Sequence, residues 1–238
     1  MSLAAWQEIA SRVGAACIGV GLDLVHPFSV ARYNAAAVAT ERLDGFARPN
    51  ALGILIGNTR QLWPTFIRAS AEDATLASAA HPLDAFVTTR LRALLGAVTA
   101  HATHVVFSHV TTPRAFPIQR LADAVGFAGV SPSHLAIHPL HGPWFALRAV
   151  VVVDVDGPTT APPEPERPCR GCSAPCLPAL ERALTASGSP LSSAAVAAHA
   201  AEWIAVRDAC PVGQNARYGA AQLAYHYAPD RSRILPET

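Results

Sequence analysis

"FALRAVVVVDVDG" (Phe145–Gly157) is the stretch on which the fold turns. An arginine near its start is followed by four consecutive valines, Val150 to Val153. β-Branched side chains sit well on a pleated surface and are stiff in a helix. A strand with one wet face alternates apolar and polar residues. This run does not alternate, so it predicts a strand covered on both faces. "ALGILIGNT" (51–59) and "HVVFSHV" (104–110), short and bounded by turn residues, predict two more buried strands.

Helical patterns lie around these strands. "MSLAAWQEIASRVGAAC" reads as an amphipathic helix. It lacks the charged and apolar regions and the cleavage site of a signal peptide, so a cytoplasmic location is expected. "SVARYNAAAVA" follows a His-Pro turn, with Ser29 as candidate cap. "HPLDAFVTTRLRALLGAVTAH" starts near Pro82 and places Leu83, Phe86, Val87, Leu91, Leu94 and Leu95 on one face. "PIQRLADAVGFAG" predicts a helix ending in glycine. From Asp156 to Pro168, six of thirteen residues are Pro or Gly, which predicts an extended connector. Beyond it, "LPALERALTAS", "SSAAVAAHAAEWIAVRDA" and "GAAQLAYHY" predict helices. The expected organisation is an α+β body over 1–156, a Pro-rich connector over 157–168, and a cysteine-containing helical segment over 169–238 packed on that body.

Composition sets limits on function. Of 238 residues, 51% are hydrophobic and 15% charged, enough for a globular core. No apolar run reaches the roughly 18–20 residues of a membrane span. The net charge is +1, with no Arg-dense stripe, so neither nucleic acid nor membrane is an expected partner. All 18 cationic residues are Arg, which excludes a lysine Schiff base and a Walker-type phosphate loop in this chain.

Three of the five cysteines fall in "CRGCSAPC", as Cys169, Cys172 and Cys176. Thiolates on such a loop can converge on one soft metal centre. Cys210, followed by Pro211, is the candidate fourth ligand, returned to the loop by a helical hairpin. Four readings stay open: a [4Fe–4S] cluster, a structural zinc, a disulfide, or a segment that binds nothing. A second ferredoxin-like Cys-x3-Cys-Pro run is absent, because Leu180 and Glu181 stand in its places. Cys17, in an apolar stretch, reads as a buried structural thiol.

The densest cluster of chemistry-bearing residues is "IHPLHGPWFALR" (137–148). His138 and His141 flank a proline turn. Gly142-Pro143 would let backbone approach a bound ring, and Trp144 and Phe145 offer flat apolar surface. A large planar cofactor suits that combination. The plainer reading of the two histidines is a backbone-bonded turn. Arg148 lies in an apolar strand, where burying its charge requires an anionic partner or ligand. Arg207, Arg217, Arg231 and Arg233, if gathered in space, would bind a small polyanion through their guanidinium forks.

"HPFSVARYN", "HPLDAFVTTRL", "HLAIHPLHGPWFALRAVVVV" and "VRDACPVGQNARYGAAQLAYHY" together resemble, in order and over most of the chain, the cblC-type cobalamin-processing family of decyanases and dealkylases. The cysteine loop and "ACPVG" resemble instead ferredoxin-like relatives and the epoxyqueuosine reductases. The resemblance implies a nitroreductase/flavin-reductase-like body with a helical C-terminal appendage. It implies a base-off corrinoid lying on 133–148, touching Ser133, His134, His138, Gly142, Trp144 and Phe145 without a protein histidine on its metal. It implies reduction by flavin (FMN or FAD) or glutathione, with Arg148, Arg207 and Arg233 holding glutathione. A flavin reductase or a ferredoxin as electron donor, and a homodimer, follow as expected partners. The chain departs from the family pattern at Ala124, where a His is usual, and at Ala136, where a Cys is usual. Rival functions are an iron–sulfur redox protein without corrinoid function, and a carrier without chemistry.

Overall fold

A computed structural model describes residues 4–160 and 166–228. The elements run α1 (Ala5–Gly19), β1 (Leu24–Ser29), α2 (Val30–Ala36), β2 (Ala51–Asn58), α3 (Leu62–Glu72), α4 (Ala74–Ala77), α5 (Pro82–Val98), β3 (Thr103–Phe107) and α6 (Ile118–Ala124). Then follow the short β4 (Gly129–Val130) and β5 (Ala136–Ile137), the long β6 (Ala146–Asp156), α7 (Cys176–Ser187), α8 (Ser193–Ala198), α9 (Ala200–Asp208) and α10 (Ala220–Tyr227). The architecture is α+β around a four-stranded antiparallel sheet of order β1-β2-β6-β3, beside a two-stranded β4-β5 pair.

The valine run forms β6, and the sheet is covered on both faces. Ala149, Val151 and Val153 pack into one core with Val13 of α1, Phe66 of α3 and Phe86 and Leu91 of α5. Val150 and Val152 pack into a second core with Tyr33 of α2 and Leu121 of α6. All five residues from Ala149 to Val153 are inaccessible to water. At about 1.5–3 kcal/mol for each buried large apolar side chain, this strand is the main hydrophobic anchor of the sheet.

Helix α5 buries the expected stripe, Leu83, Phe86, Val87, Leu91, Leu94 and Leu95, and begins at Pro82. Ser29 caps α2 by accepting from the Arg32 N–H at 3.0 Å. Two local expectations are corrected. The His-Pro turn is strand β1: His26 and Pro27 pair with Leu55 and Ile54. Proline is tolerated there because β1 is an edge strand, where a ladder donor can be spared. The helix expected over 192–209 is broken at His199, which leaves helical backbone (φ −116°, ψ 37°) and separates α8 from α9. The C-terminal α10 reaches the main core. Tyr225 packs against Trp63 and Phe66, and its hydroxyl accepts from the Leu83 N–H at 3.3 Å.

Glycine 53 lies opposite Phe28 across β1 and β2, and the phenyl ring folds over it. A Cβ at that position would stand 2.3–2.6 Å from three ring atoms. Gly53→Ala is therefore expected to cost about 1–3 kcal/mol by overpacking. Combined with Phe28→Leu, it should cost less than the two single losses added together. A denaturant double-mutant cycle checks this, and strict additivity would contradict the contact.

Candidate functional site

Where β6 leaves the core its burial changes: Ala146, Leu147 and Arg148 are only half-buried. With Phe145 they floor a cleft of two lobes. One lobe holds about 710 Å³ of space, counted to its open mouth, and is lined by Arg148, Arg207, Tyr218, Leu223, His226 and Tyr227. The other holds about 550 Å³, between Ile118 and Gln119 of α6 and Ala136 of β5. Phe145, Ala146 and Arg207 line both lobes.

Two arginines dominate the chemistry of the cleft. Arg148 projects from β6; its Nε donates to Oδ1 of the buried Asn58 at 2.6 Å, and its Nη1 lies 3.8 Å from Asp84. Arg207, on α9, donates through Nη1 to the Pro143 carbonyl at 2.8 Å. Its guanidinium lies 5.7 Å from the Trp144 ring centre, and that of Arg217 lies 5.4 Å from the same ring. Arg217 also forms a two-pronged pair with Asp208 at 2.6 and 3.0 Å. Trp144, 1% exposed, is thus packed behind the cleft and steadies Arg207 through cation–π attraction.

Tyr218 stands against the same tryptophan, with ring centres 5.6 Å apart. Its hydroxyl is buried without a hydrogen-bond partner among the described residues. Burial pushes its phenol above the ordinary range, while the nearby Arg207 and Arg148 pull it back. Tyr218 and His226 were not singled out as site residues in the sequence. The available signal was the helical spacing of Leu223, His226 and Tyr227, which puts all three on one face.

Of the six residues expected to touch a corrinoid, Phe145 lines this cleft. Ser133 lines a different cavity, is buried, and bonds Ser131 at 3.0 Å. His134 is exposed, with φ +62°. His138 is a turn histidine: its Nδ1 accepts from the Leu140 and His141 N–H groups at 3.1 and 3.4 Å, and its ring stacks on His141 at 4.7 Å. Gly142 is also placed differently from the expectation, because the backbone it meets is the chain's own. At φ +56°, a Cβ there would lie 1.9 Å from the Val212 carbonyl oxygen. Trp144, expected as a cleft wall, is buried behind it. Arg231 and Arg233 lie outside the described residues. Ala136 lines the cleft, whereas Ala124 lines a separate apolar cavity with His26, Phe28 and Arg32.

The four cysteines of the expected metal set do converge. Cys169, Cys172, Cys176 and Cys210 all line one pocket, of about 450 Å³ counted to its open mouth, with Leu135 and Val212. All four are free thiols, so the disulfide reading is not met in this state. Burial, then the neighbouring Cys210, Cys172 and Cys176, push the Cys169 thiol up. Among the described residues, however, no group of three or more His, Cys, Asp or Glu stands in an arrangement that would hold a metal ion. Cys17 is fully buried and its thiol is pushed up to about 12 by burial, as a structural cysteine should be.

The comparisons with known proteins fit this architecture. No protein-family model matches the sequence, and no curated protein matches it at a significant level. The fold is similar to the crystal structure of a B12-trafficking protein, CblC, from C. elegans, a homologue of human MMACHC. The TM-score is 0.68 at 18% identity, over 94% of this chain and 91% of that chain. Likeness at that identity defines the fold. Among the described residues no helix is long and apolar enough to cross a membrane.

Two predictions follow from the turn that borders the site. Gly142→Ala should strongly destabilise the protein, because the Val212–Gly213 backbone leaves no room and the left-handed φ is unfavourable for alanine. A loss of thermal stability too small to measure would contradict the packing. Burial, then His141 and His26, hold His138 at about 4, below the ordinary 6.5. Above pH 6.5 the folded and unfolded chains both carry it neutral. Between pH 6.5 and about 4 the unfolded chain takes up a proton that the folded one refuses, so stability falls with pH and then levels off. His26, also lowered by burial, adds in the same direction. His138→Gln should flatten this decline in denaturation curves, and an unchanged slope would rule out the buried neutral imidazole.

Proposed function

We propose that this protein binds a corrinoid, base-off, in the cleft over Phe145–Arg148 and processes its upper axial ligand. The observation that carries the reading is the fold likeness to a B12-trafficking protein along nearly the whole chain, with a cleft at the segment that resembles the cblC family. The body is read accordingly as nitroreductase/flavin-reductase-like. Phe145 supplies apolar floor for a flat ring. His138 is held by backbone donors and by His141, which supports a corrinoid whose cobalt takes no imidazole from the 137–142 turn.

Base-off binding removes the lower nitrogen donor that stabilises Co(III), so reduction becomes easier. One electron converts Co(III) to Co(II) and releases a cyanide ligand. An alkyl ligand passes instead to the thiolate of glutathione: the S–C bond forms as the Co–C bond breaks, and its electron pair stays on the metal, leaving Co(I). Arg148 and Arg207 would hold the carboxylates of such a thiol, and the Tyr218 hydroxyl would donate to a polar group of the ligand; all three line one lobe of the cleft. A flavin reductase or a ferredoxin would supply electrons to the reductive branch.

Titrating hydroxocobalamin with protein in excess should shift its visible spectrum to the base-off form; no shift removes the reading. Steady-state decyanation with reduced flavin then separates an enzyme from a carrier. Arg207→Ala is expected to weaken glutathione about 10–100-fold while leaving the base-off shift in place, the loss corresponding to a charge-assisted hydrogen bond of about 1.5–3 kcal/mol. Isothermal titration with glutathione of the corrinoid-loaded protein measures it.

A further inference from the structure

We propose that Cys169, Cys172, Cys176 and Cys210 form a seat for an iron–sulfur cluster, separated from the arginine cleft by the wall that carries Leu135. The first ground is placement. Four of the chain's five cysteines line one cavity, although Cys176 and Cys210 are 34 positions apart in sequence. The chain closes that gap by packing α7 on α9 through Ala179, Ala183 and Val206, all buried. Small residues one turn apart let the two helices approach closely. The hairpin thereby returns Cys210, just after α9, to Cys176, the first residue of α7.

The second ground is the provision for thiolates. Cys176 opens a twelve-residue helix, whose N-terminal end favours negative charge. Two left-handed residues, Gly171 (φ +77°) and Ala174 (φ +54°), turn the 169–176 loop around the cavity. Alanine is unfavourable in that region, so the bend is held against a local cost.

The third ground is the lining. Pro168, Pro175, Pro211, Val206 and Leu135 surround the four cysteines with largely apolar side chains, which limits the solvent exposure on which an iron–sulfur cluster's potential depends. Leu135 also lines the cleft beside Phe145, so the two sites share a wall.

The test is anaerobic reconstitution of the full chain with iron and sulfide. The expected product is brown, holds about four irons and four sulfides per chain, and loses its broad visible absorbance on adding dithionite, with a reduced-cluster EPR signal. Cys172→Ala and Cys210→Ala should each lower cluster retention at least tenfold, with circular dichroism showing that the helices remain. Cys17→Ala should keep full loading. A colourless product holding one zinc, a metal-free product with paired thiols, or a cluster that survives in both Cys172→Ala and Cys210→Ala would each overturn the proposal. None of these readouts involves a corrinoid, so failure of the corrinoid reading leaves this result standing, and the reverse.

Discussion

Burial of Ala149–Val153 from both sides is the constraint from which the rest of the architecture follows. An antiparallel strand with no polar face must be covered twice, so α1, α3 and α5 occupy one side of the sheet and α2 and α6 the other. The same strand cannot be buried along its whole length, because Arg148 precedes the valines. Its charge is accommodated where the two helical layers end, with Asn58 on the neighbouring strand and Asp84 at the start of α5. The cleft therefore opens at the point where the core can no longer enclose the strand. Placement of the candidate chemistry follows from hydrophobic closure rather than from a separate loop device.

A backbone junction then fixes what surrounds that opening. The turn at Gly142 and the turn at Gly213 press together so closely that a side chain on either would overlap the other's main chain. Cys210-Pro211-Val212 faces the cysteine cavity on one side of this junction. On the other, Pro143 accepts from Arg207 and leads into Phe145 at the cleft floor. One contact thus sets the position of both cavities, and the α7–α9 hairpin is oriented by it at one end and by the cysteine loop at the other. Displacing either glycine would move an arginine and a cysteine together.

Legibility from sequence followed the strength of the local pattern. The six-residue stripe of α5 and the valines of β6 gave period and burial directly, and the structure agrees with both. Strand β1 was hidden because His26 and Pro27 interrupt its pattern; an edge position tolerates what a central strand would not. The break at His199 falls in an alanine-rich stretch whose propensity is helical throughout, so residue type does not mark it. Trp144 and Phe145 look alike in composition, yet adjacent residues of an extended chain point opposite ways. Phe145 reaches the cleft and Trp144 turns back between Arg207, Arg217 and Tyr218. Tyr218 and His226 arrive at the cleft from the far end of the chain; the spacing of Leu223, His226 and Tyr227 marks a shared helical face, but not the cleft that this face meets.

The histidine-rich turn illustrates how residue type can mislead about role. A pair of imidazoles beside a Gly-Pro suggests a base or a ligand. Here one ring receives two backbone N–H groups, stacks on the other, packs at a tilt against Phe127, and is kept neutral by burial. Its function is to close a turn by accepting from the Leu140 and His141 amides. Positive charge at the cleft is then contributed by the guanidinium groups of Arg148 and Arg207. Arg207 is held on one edge by the Pro143 carbonyl and on its face by an indole, an arrangement that fixes the plane of its fork before any ligand arrives. Pre-orientation of that kind reduces the entropy lost on binding, which is what a cleft that must grip a small, flexible anion beside a large flat ring requires.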